Sequence, residues 1–301
     1  MKNIFTYSSA FVLGLALVAT PEADAQQFSK RKQYNSVGFS LNAMNYFGDI
    51  TPTTNFASLR LGATRVGAGV SITRRFYPRL SGRFGLTYGR ISGDDALAAD
   101  QNGADSKFRY NRNMNFRNDI LEASAVAIID LIENRNNYLK RPDFVPYVFV
   151  GVAGFYHNPQ GLDKSGNYID LQPLKTEGQA TAYSRTQIAI PFGGGIRYRI
   201  NRNFDASLEI GWRKTFTDYL DDTGGRYAGP TALGVVPGQP LNAQQYFGYG
   251  ITRSVNDGGF AGFTNKDELR GDSRNKTDWY IVTGVTLNYI LTPRIKNPKF
   301  R

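Results

Sequence analysis

The sequence predicts an all-β fold, namely an eight-stranded antiparallel transmembrane β-barrel with short periplasmic turns and long extracellular loops. Residue alternation, strand number and connection lengths support this prediction. Alternation is clearest in segment 203–217, where successive residues differ in character. One face carries Phe204, Ala206, Leu208, Ile210 and Trp212, and the other carries Asp205, Ser207, Glu209, Gly211 and Arg213. Such a strand suits lipid on one side and a polar lumen on the other.

Eight segments with this period of two lie between turn signals. They are residues 34–45, 60–76, 80–92, 116–132, 144–157, 186–200, 203–217 and 278–291. Most are longer than the roughly five or six residues typical of soluble strands, and reach the roughly 9–11 that a tilted strand needs to cross a bilayer. Segment 144–157 is apolar on both faces, so its residues alone would also suit a buried strand of a soluble core.

The connections between these segments alternate in length. Short turns are predicted at 77–79, 133–143 and 201–202, and long loops at 46–59, 93–115, 158–185 and 218–277. Transmembrane barrels have short periplasmic turns and long extracellular loops. Because the number of strands is even, both termini are expected in the periplasm.

The N-terminus has the features of an export signal. Lys2 precedes a mostly apolar stretch at 4–19, and Ala23 and Ala25 form a small-residue cleavage site. We therefore predict a cleaved signal peptide at 1–25, an outer-membrane barrel at 26–291 and a basic periplasmic tail at 292–301. The sequence has no cysteine, which excludes a lipoprotein anchor and disulfide bonds.

The predicted lumen carries charged side chains of both signs. An eight-stranded barrel is just wide enough to be filled by its own side chains, and charges buried there persist only when they are paired. We therefore expect an ion-paired plug and no conducting channel. Its expected members are Arg83, Glu122, Arg197, Arg199, Glu209 and Arg213.

Catalysis has little support in the sequence. The one histidine, His157, would lie at the loop end of the fifth strand, where some outer-membrane lipid-modifying enzymes carry catalytic groups. A hydrolase would also need a nucleophile such as Ser184 and an acid such as Asp163 or Glu177, and these have no diagnostic spacing. We predict no catalytic residues and expect His157 in an ordinary polar environment at the rim.

Other ligand sites are also not expected. The acidic pairs Asp94-Asp95 and Asp221-Asp222 lack the alternating spacing of a calcium loop, so we expect them to be solvated. The glycine triplet at 193–195 lies within a strand, which indicates close packing of lumen side chains instead of a phosphate loop. An exported chain does not meet cytoplasmic nucleic acid. We predict no metal, cofactor, nucleic acid or small-molecule substrate.

The positive charge is concentrated on the turn side. The net charge of the chain is +11. Fifteen basic and two acidic residues lie near the predicted turns and termini, whereas the four long loops contain twelve basic and fifteen acidic residues. Such a face would steer an acidic periplasmic partner to the barrel, or would simply contact lipid headgroups. The expected contact residues are Arg74, Arg75, Arg79, Lys140, Arg141, Arg202, Arg294, Lys296, Lys299 and Arg301.

A family resemblance is visible in three motifs. The segment from Glu209 to Asp222, EIGWRKTFTDYLDD, is preceded by AIPFGGG at 189–195 and by SGDD at 92–95. Together these resemble the PorG-like outer-membrane barrels of Bacteroidota, which are associated with type IX secretion. The resemblance implies an eight-stranded barrel without catalytic residues that contacts periplasmic secretion-ring proteins or lipoproteins.

Three functions follow from these observations. The first is a non-enzymatic outer-membrane barrel that anchors a periplasmic complex of type IX secretion, with outer-membrane lipid and the periplasmic ring as its partners. The second is a surface adhesin or receptor that uses loop 218–277, which is long enough to act as a lid or binding loop. The third is a lipid-modifying outer-membrane enzyme, for which His157 is the only candidate residue.

Overall fold

The computed structural model describes residues 32–50, 61–98, 107–236, 238–251, 269–271 and 277–292. The expected signal peptide and most of the basic tail lie outside these residues. The strands are β1 (Asn35–Phe47), β2 (Arg65–Arg75), β3 (Leu80–Asp94), β4 (Asn115–Asp130), β5 (Phe144–Leu162), β6 (Tyr168–Asp170), β7 (Thr186–Arg199), β8 (Phe204–Thr215) and β9 (Trp279–Leu291). All pair antiparallel with their neighbours, and β1 pairs with both β2 and β9, which closes the barrel.

The predicted fold class, a closed eight-stranded antiparallel barrel, is confirmed. The additional short strand β6 does not belong to the closed ring. It pairs only with the loop end of β5, through Gln160–Leu162. Two boundaries differ by five residues from the expected ones, and the others agree to within two residues. Strand β2 begins at Arg65, after a short helix, and not at residue 60. Strand β5 continues to Leu162, because its last residues pair with β6 and its neighbouring residues pair with β4.

The register of the barrel fixes its shear. Following paired residues once around the wall leads from β1 back to β1 at a position ten residues further along. The path is Asn35, Arg74, Gly82, Ala127, Val150, Phe192, Trp212, Ile281 and Asn45. Eight strands with a shear of ten tilt by about 40° from the barrel axis, within the range of closed β-barrels.

The outer wall is apolar and exposed. Its side chains include Phe39, Leu41, Val70, Ile72, Phe84, Leu86, Val148, Val150, Val152, Ile188, Ile190, Leu208, Val285 and Leu287, which we call the apolar belt. Aromatic residues lie toward both ends of this belt. Phe144, Tyr198, Phe204 and Tyr289 lie at the turn end, and Tyr88, Tyr156, Trp212 and Trp279 lie toward the loop end. An apolar band between two aromatic girdles is typical of a wall that faces lipid.

The short turns, the start of β1 and the end of β9 lie on one side of the barrel. Asn35, the first residue of β1, pairs with Leu291, the last residue of β9, and with Arg74 at the end of β2. The remaining short connections, at 76–79, 131–143 and 200–203, join strands at this same end. We call it the turn end, and the opposite end the loop end.

Strand β5 is apolar on both faces because its outward residues lie in the apolar belt and its inward residues include aromatic rings that fill the lumen. Its outward residues Val148, Val150 and Val152 are exposed in the belt, whereas Tyr147 and Phe149 are buried inside. These two rings lie over the glycine triplet of β7. A Cβ atom on Gly195 would lie 2.8 Å from the Tyr147 ring, and one on Gly193 would lie 3.0 Å from the Phe149 ring. The glycines therefore make room for the aromatic side chains of the lumen.

The loops at the loop end pack into a compact cap. It consists of the described residues 48–50, 95–98, 107–114, 171–185, 218–236, 238–251, 269–271 and 277–278. Short helices occur at Asp95–Ala98, Lys107–Arg112, Gln172–Leu174, Ala243–Gln245 and Tyr246–Gly250, with others at Leu61–Ala63 and Tyr138–Lys140. No helix in the described part of the chain is long and apolar enough to span a membrane. Cap residues Ile50, Leu220 and Phe247 join Ile120 and Phe155 of the strands in one buried apolar cluster.

Candidate functional site

The middle of the lumen contains paired charges. Arg83 of β3 forms an ion pair with Glu209 of β8, and Tyr147 donates a hydrogen bond of 2.6 Å to the same carboxylate. The Arg83 guanidinium also lies 5.3 Å from the centre of the Phe149 ring. Each charge therefore has an opposite charge or a ring beside it, which offsets the cost of its burial.

A second pair lies next to the first, toward the loop end. Arg213 Nε lies 3.3 Å from Glu122 Oε2, and Tyr280 donates a hydrogen bond of 2.6 Å to that oxygen. Cavities of about 30 and 50 Å³ remain among the lumen side chains, which is room for a few water molecules. In the described residues, the lumen is thus filled by side chains.

The turn end of the lumen is closed by a third layer of ion pairs. Asp130 accepts hydrogen bonds from Arg75 at 3.0 Å and from Arg197 at 2.6 Å. Arg141 forms an ion pair of 2.6 Å with Asp205 and donates further hydrogen bonds to backbone carbonyls of the neighbouring turn.

This placement of Arg75 and Arg141 differs from the prediction of exposed contact residues. Their side chains are only 3% and 4% exposed, because each continues the inward face of its strand or turn and meets a lumen carboxylate. Arg199, predicted to lie in the lumen plug, pairs instead with Asp143 at the turn end, where its side chain is partly exposed.

Four of the predicted contact residues are exposed at the turn end. Arg74, Arg79, Lys140 and Arg202 have no ion-pair partner in the described part of the chain. We call these four residues the turn face. The other predicted contact residues, Arg294, Lys296, Lys299 and Arg301, lie outside the described residues.

The cap contains a buried network of charges that the sequence did not lead us to expect. Arg112 donates to both oxygens of Asp95, at 2.7 and 2.8 Å, and to the backbone carbonyls of Asp49 and Arg270, each at 2.7 Å. Arg270 in turn pairs with Asp222 and Glu177, both at 3.3 Å. These contacts join segments distant in the sequence into one unit.

The expectation of solvated aspartates in the long loops is wrong for three of the four residues. Asp95, Asp221 and Asp222 are completely buried. Burial raises the pKa of Asp222, although Arg270 and the hydroxyl groups of Thr176 and Tyr183 partly offset this rise. Charged loop residues are buried here because they bind one another within the cap.

Two carboxyl groups of the cap, those of Asp221 and Asp278, meet at one tyrosine. Tyr46 Oη lies 2.7 Å from Asp221 Oδ2 and 2.9 Å from Asp278 Oδ1, and accepts a hydrogen bond from the Asp49 amide. A phenol has one proton and can donate to only one carboxylate at a time. Burial first, and the neighbouring carboxylates next, raise the pKa values of Asp221 and Asp278 well above their ordinary range.

His157 is buried and not at a polar rim. Its ring stacks on Tyr183 at 6.1 Å, and Nε2 lies 3.3 Å from the Ser184 backbone carbonyl. The Ser184 hydroxyl donates to the Thr186 carbonyl and does not contact the histidine ring. The other two candidates are also elsewhere, since Asp163 accepts from amides of its own turn and Glu177 binds Arg270. The four residues do not form a catalytic group.

A match to a protein family covers most of the chain. Residues 23–228 match the family described as Domain of unknown function (DUF6089). The chain belongs to the DUF6089 family. The matched part of this DUF6089 protein includes β1 to β8, the lumen ion pairs and the Asp221-Asp222 pair. The sequence matches no curated protein.

Solved structures similar to the DUF6089 barrel are outer-membrane proteins. OprG from Pseudomonas aeruginosa has 11% identity and a TM-score of 0.41, with 87% of this chain and 98% of OprG covered. A major outer-membrane protein from Thermus thermophilus has 12% identity and a TM-score of 0.38, with 85% and 99% covered. Ail of Yersinia pestis, in complex with the heparin analogue sucrose octasulfate, has 7% identity and a TM-score of 0.35, with 86% and 97% covered.

Proposed function

We propose that this DUF6089 protein is a non-enzymatic outer-membrane barrel that anchors a periplasmic complex to the membrane. The observation that carries the proposal is the combination of an exposed apolar belt with a lumen filled by ion pairs. The belt suits insertion into lipid, and among the residues that the structure describes the filled lumen leaves no path for a solute. A barrel with both properties can serve as a fixed attachment site.

The turn face supports attachment on the periplasmic side. Arg74, Arg79, Lys140 and Arg202 are exposed and lie at the end where β1 begins and β9 ends. Unpaired cations at a membrane surface attract an acidic partner, and such attraction weakens as salt rises. The basic residues of the tail would extend this surface.

Type IX secretion is the process to which we assign the attachment. The support is the resemblance of the segment from Glu209 to Asp222 to PorG-like barrels. In the structure this segment crosses from the lumen ion pairs, at Glu209 and Arg213, into the buried acidic pair of the cap. The segment that carries the resemblance therefore contains residues that stabilise the barrel and residues that stabilise the cap.

The orientation can be tested with introduced cysteines, because the natural chain has none. Lys164→Cys lies in an exposed loop and Arg135→Cys lies in an exposed turn. A membrane-impermeant maleimide should label the first variant on intact cells and the second only after the outer membrane is permeabilised. The reverse pattern would contradict the proposed orientation.

The partner interaction can be tested by comparing the exposed cations of the turn face with a buried arginine at the same end. Changing the four turn-face residues to Gln should reduce recovery of crosslinked periplasmic proteins, while the heat-modifiable mobility of the folded barrel stays unchanged. Arg75→Gln is the matched control, because its side chain is buried beside Asp130. It should weaken the barrel without a direct effect on capture. Unchanged capture by the turn-face variant would rule out the electrostatic contact.

A second candidate function is binding of an extracellular ligand by the loops. An open cavity of about 430 Å³ lies on the outside of the cap, lined by Lys164, Ile169, Leu241, Tyr246 and Phe247. Its size and mixed lining suit a ligand of moderate size. Lys164→Glu should abolish surface adhesion or ligand binding if this is the function, and should leave secretion unchanged.

A further inference from the structure

The outer wall changes abruptly from apolar to polar at the loop end of β3, β4 and β5. Tyr88, Leu121 and Tyr156 form one row of paired, exposed residues across these strands. One step further along, the row of Arg90, Asp119 and Asn158 is polar. A change of this kind marks the level at which lipid tails end and headgroups begin.

A groove with three arginines lies at this level. It has a volume of about 400 Å³, and its lining includes Arg65, Arg90, Arg117, Tyr168, Leu97 and Leu162. We call it the rim groove. Arg117 stacks on Tyr168, with its guanidinium carbon 3.5 Å from the ring centre.

The three arginines differ in whether a carboxylate binds them. Arg90 is engaged by Asp119 in a two-point ion pair. Arg117 donates through Nε to Gln160, and Arg65 donates through Nη1 to backbone carbonyls. In the described part of the chain, no carboxylate pairs with Arg65 or Arg117. Asp94 lines the groove as well, so that with Asp119 the site keeps one positive charge in excess.

We propose that the rim groove binds the phosphorylated sugar headgroup of an outer-leaflet glycolipid. Guanidinium groups bind phosphate through paired hydrogen bonds. The Tyr168 ring and the apolar side chains of Leu97 and Leu162 provide a surface for the sugar and for the first carbons of the acyl chains. The position directly above the belt places these groups at headgroup height. The inference rests on the proposed orientation in the membrane and is independent of the turn face.

The test uses the mature full-length barrel, refolded in a neutral detergent and titrated with bis-phosphorylated lipid A. Bound lipid is counted by native mass spectrometry, and the same lipid A without its phosphates is the reference. We expect at least tenfold tighter binding of the phosphorylated lipid. Arg117→Gln should reduce that affinity about tenfold, as expected for the loss of one charge-assisted hydrogen bond.

A control variant and a competitor complete the test. Arg135→Gln removes a cation whose side chain is 72% exposed at the turn end and should change the affinity less than twofold. Binding should survive an excess of inorganic phosphate. Equal binding of the dephosphorylated lipid, equal losses in the two variants, or displacement by inorganic phosphate would each overturn the inference. Cysteine labelling reports the orientation separately, so failure of the groove is distinguishable from failure of the proposed function.

Discussion

Arg112 and Asp95 form a two-point ion pair that is completely buried in the cap. Asp95 also accepts a hydrogen bond of 3.0 Å from the Met114 amide, and Arg112 binds the carbonyls of Asp49 and Arg270. The pair therefore connects loops that follow β1, β3 and β8. Breaking one partner of a buried ion pair leaves an uncompensated charge in a dry environment.

We expect Asp95→Asn to destabilise the cap by about 3–5 kcal/mol while the barrel stays folded. The measurement is the rate of proteolysis in the cap of the membrane-inserted protein, together with heat-modifiable mobility. Asp119→Asn is the matched control, because Asp119 forms a similar two-point pair with Arg90 that is about one-third exposed. Its loss should cost no more than about 1 kcal/mol. Equal effects of the two changes would show that burial of the Asp95 pair does not matter.

The glycine triplet of β7 gives a prediction for packing in the lumen. Gly195→Ala places a methyl group 2.8 Å from the Tyr147 ring, which contacts both Glu209 and Arg197. We expect a loss of about 1–3 kcal/mol from overpacking, measured by urea unfolding in lipid vesicles. Gly154→Ala is the control, since no heavy atom lies within 4 Å of its added Cβ. A destabilisation by Gly154→Ala as large as that by Gly195→Ala would contradict the packing explanation.

The ion pairs of the lumen give a prediction for conductance. Planar bilayers that contain the natural protein should show no discrete channel openings. Replacing Arg83 and Glu209 together by Ser removes two long side chains beside the cavity of about 50 Å³ and should produce small conductance steps. Ser replacement of Arg90 and Asp119, whose pair lies on the outer wall, should produce none. Channel openings in the natural protein would disprove the plug.

Strand alternation predicted much of the fold because one face meets lipid and the other meets the lumen. Period two therefore assigns Glu209 and Arg213 to the inside, as their ion pairs with Arg83 and Glu122 show. The ion-pair partner of each charge could not be predicted from the sequence, because it depends on the register between strands that are far apart in the chain. Arg75 illustrates this limit. Its position beside a predicted turn suggested an exposed side chain, but it lies on the inward face of β2 and meets Asp130, a partner 55 residues away.

The cap could not be predicted from local sequence. Asp95, Asp222 and Arg270 read as ordinary polar loop residues, and their burial depends on contacts between loops up to 158 residues apart, such as Arg112 with Arg270. The last long loop contains aromatic residues, among them Tyr227, Phe247 and Tyr249, but their share is no larger there than in the whole chain. Tyr227 and Tyr249 pack with Leu233 in a small buried cluster of the loop, whereas Phe247 joins the cluster that includes strand residues.

The acidic pair around Tyr46 predicts that the cap weakens as pH rises. Folded Asp221 and Asp278 have raised pKa values, whereas in an unfolded cap they titrate near the ordinary value of about 4. Between these values the folded cap binds more protons than the unfolded one. Its stability is therefore complete below about pH 4 and is lost as pH rises through the folded pKa values, by at most about 1.4 kcal/mol per pH unit for each carboxyl.

Hydrogen exchange of cap amides, corrected for the intrinsic pH dependence of exchange, measures this change. The amide of Leu220, which donates to Asp278 Oδ2 at 2.9 Å, lies at this site, and its protection should fall as pH increases because the less stable cap opens more often. Asp278→Asn, which cannot ionise, should flatten the profile, whereas Asp163→Asn in an outer turn should leave it as in the natural protein. A profile that rises with pH, or one that Asp278→Asn does not alter, would show that ionisation of Asp221 and Asp278 does not control the stability of the cap.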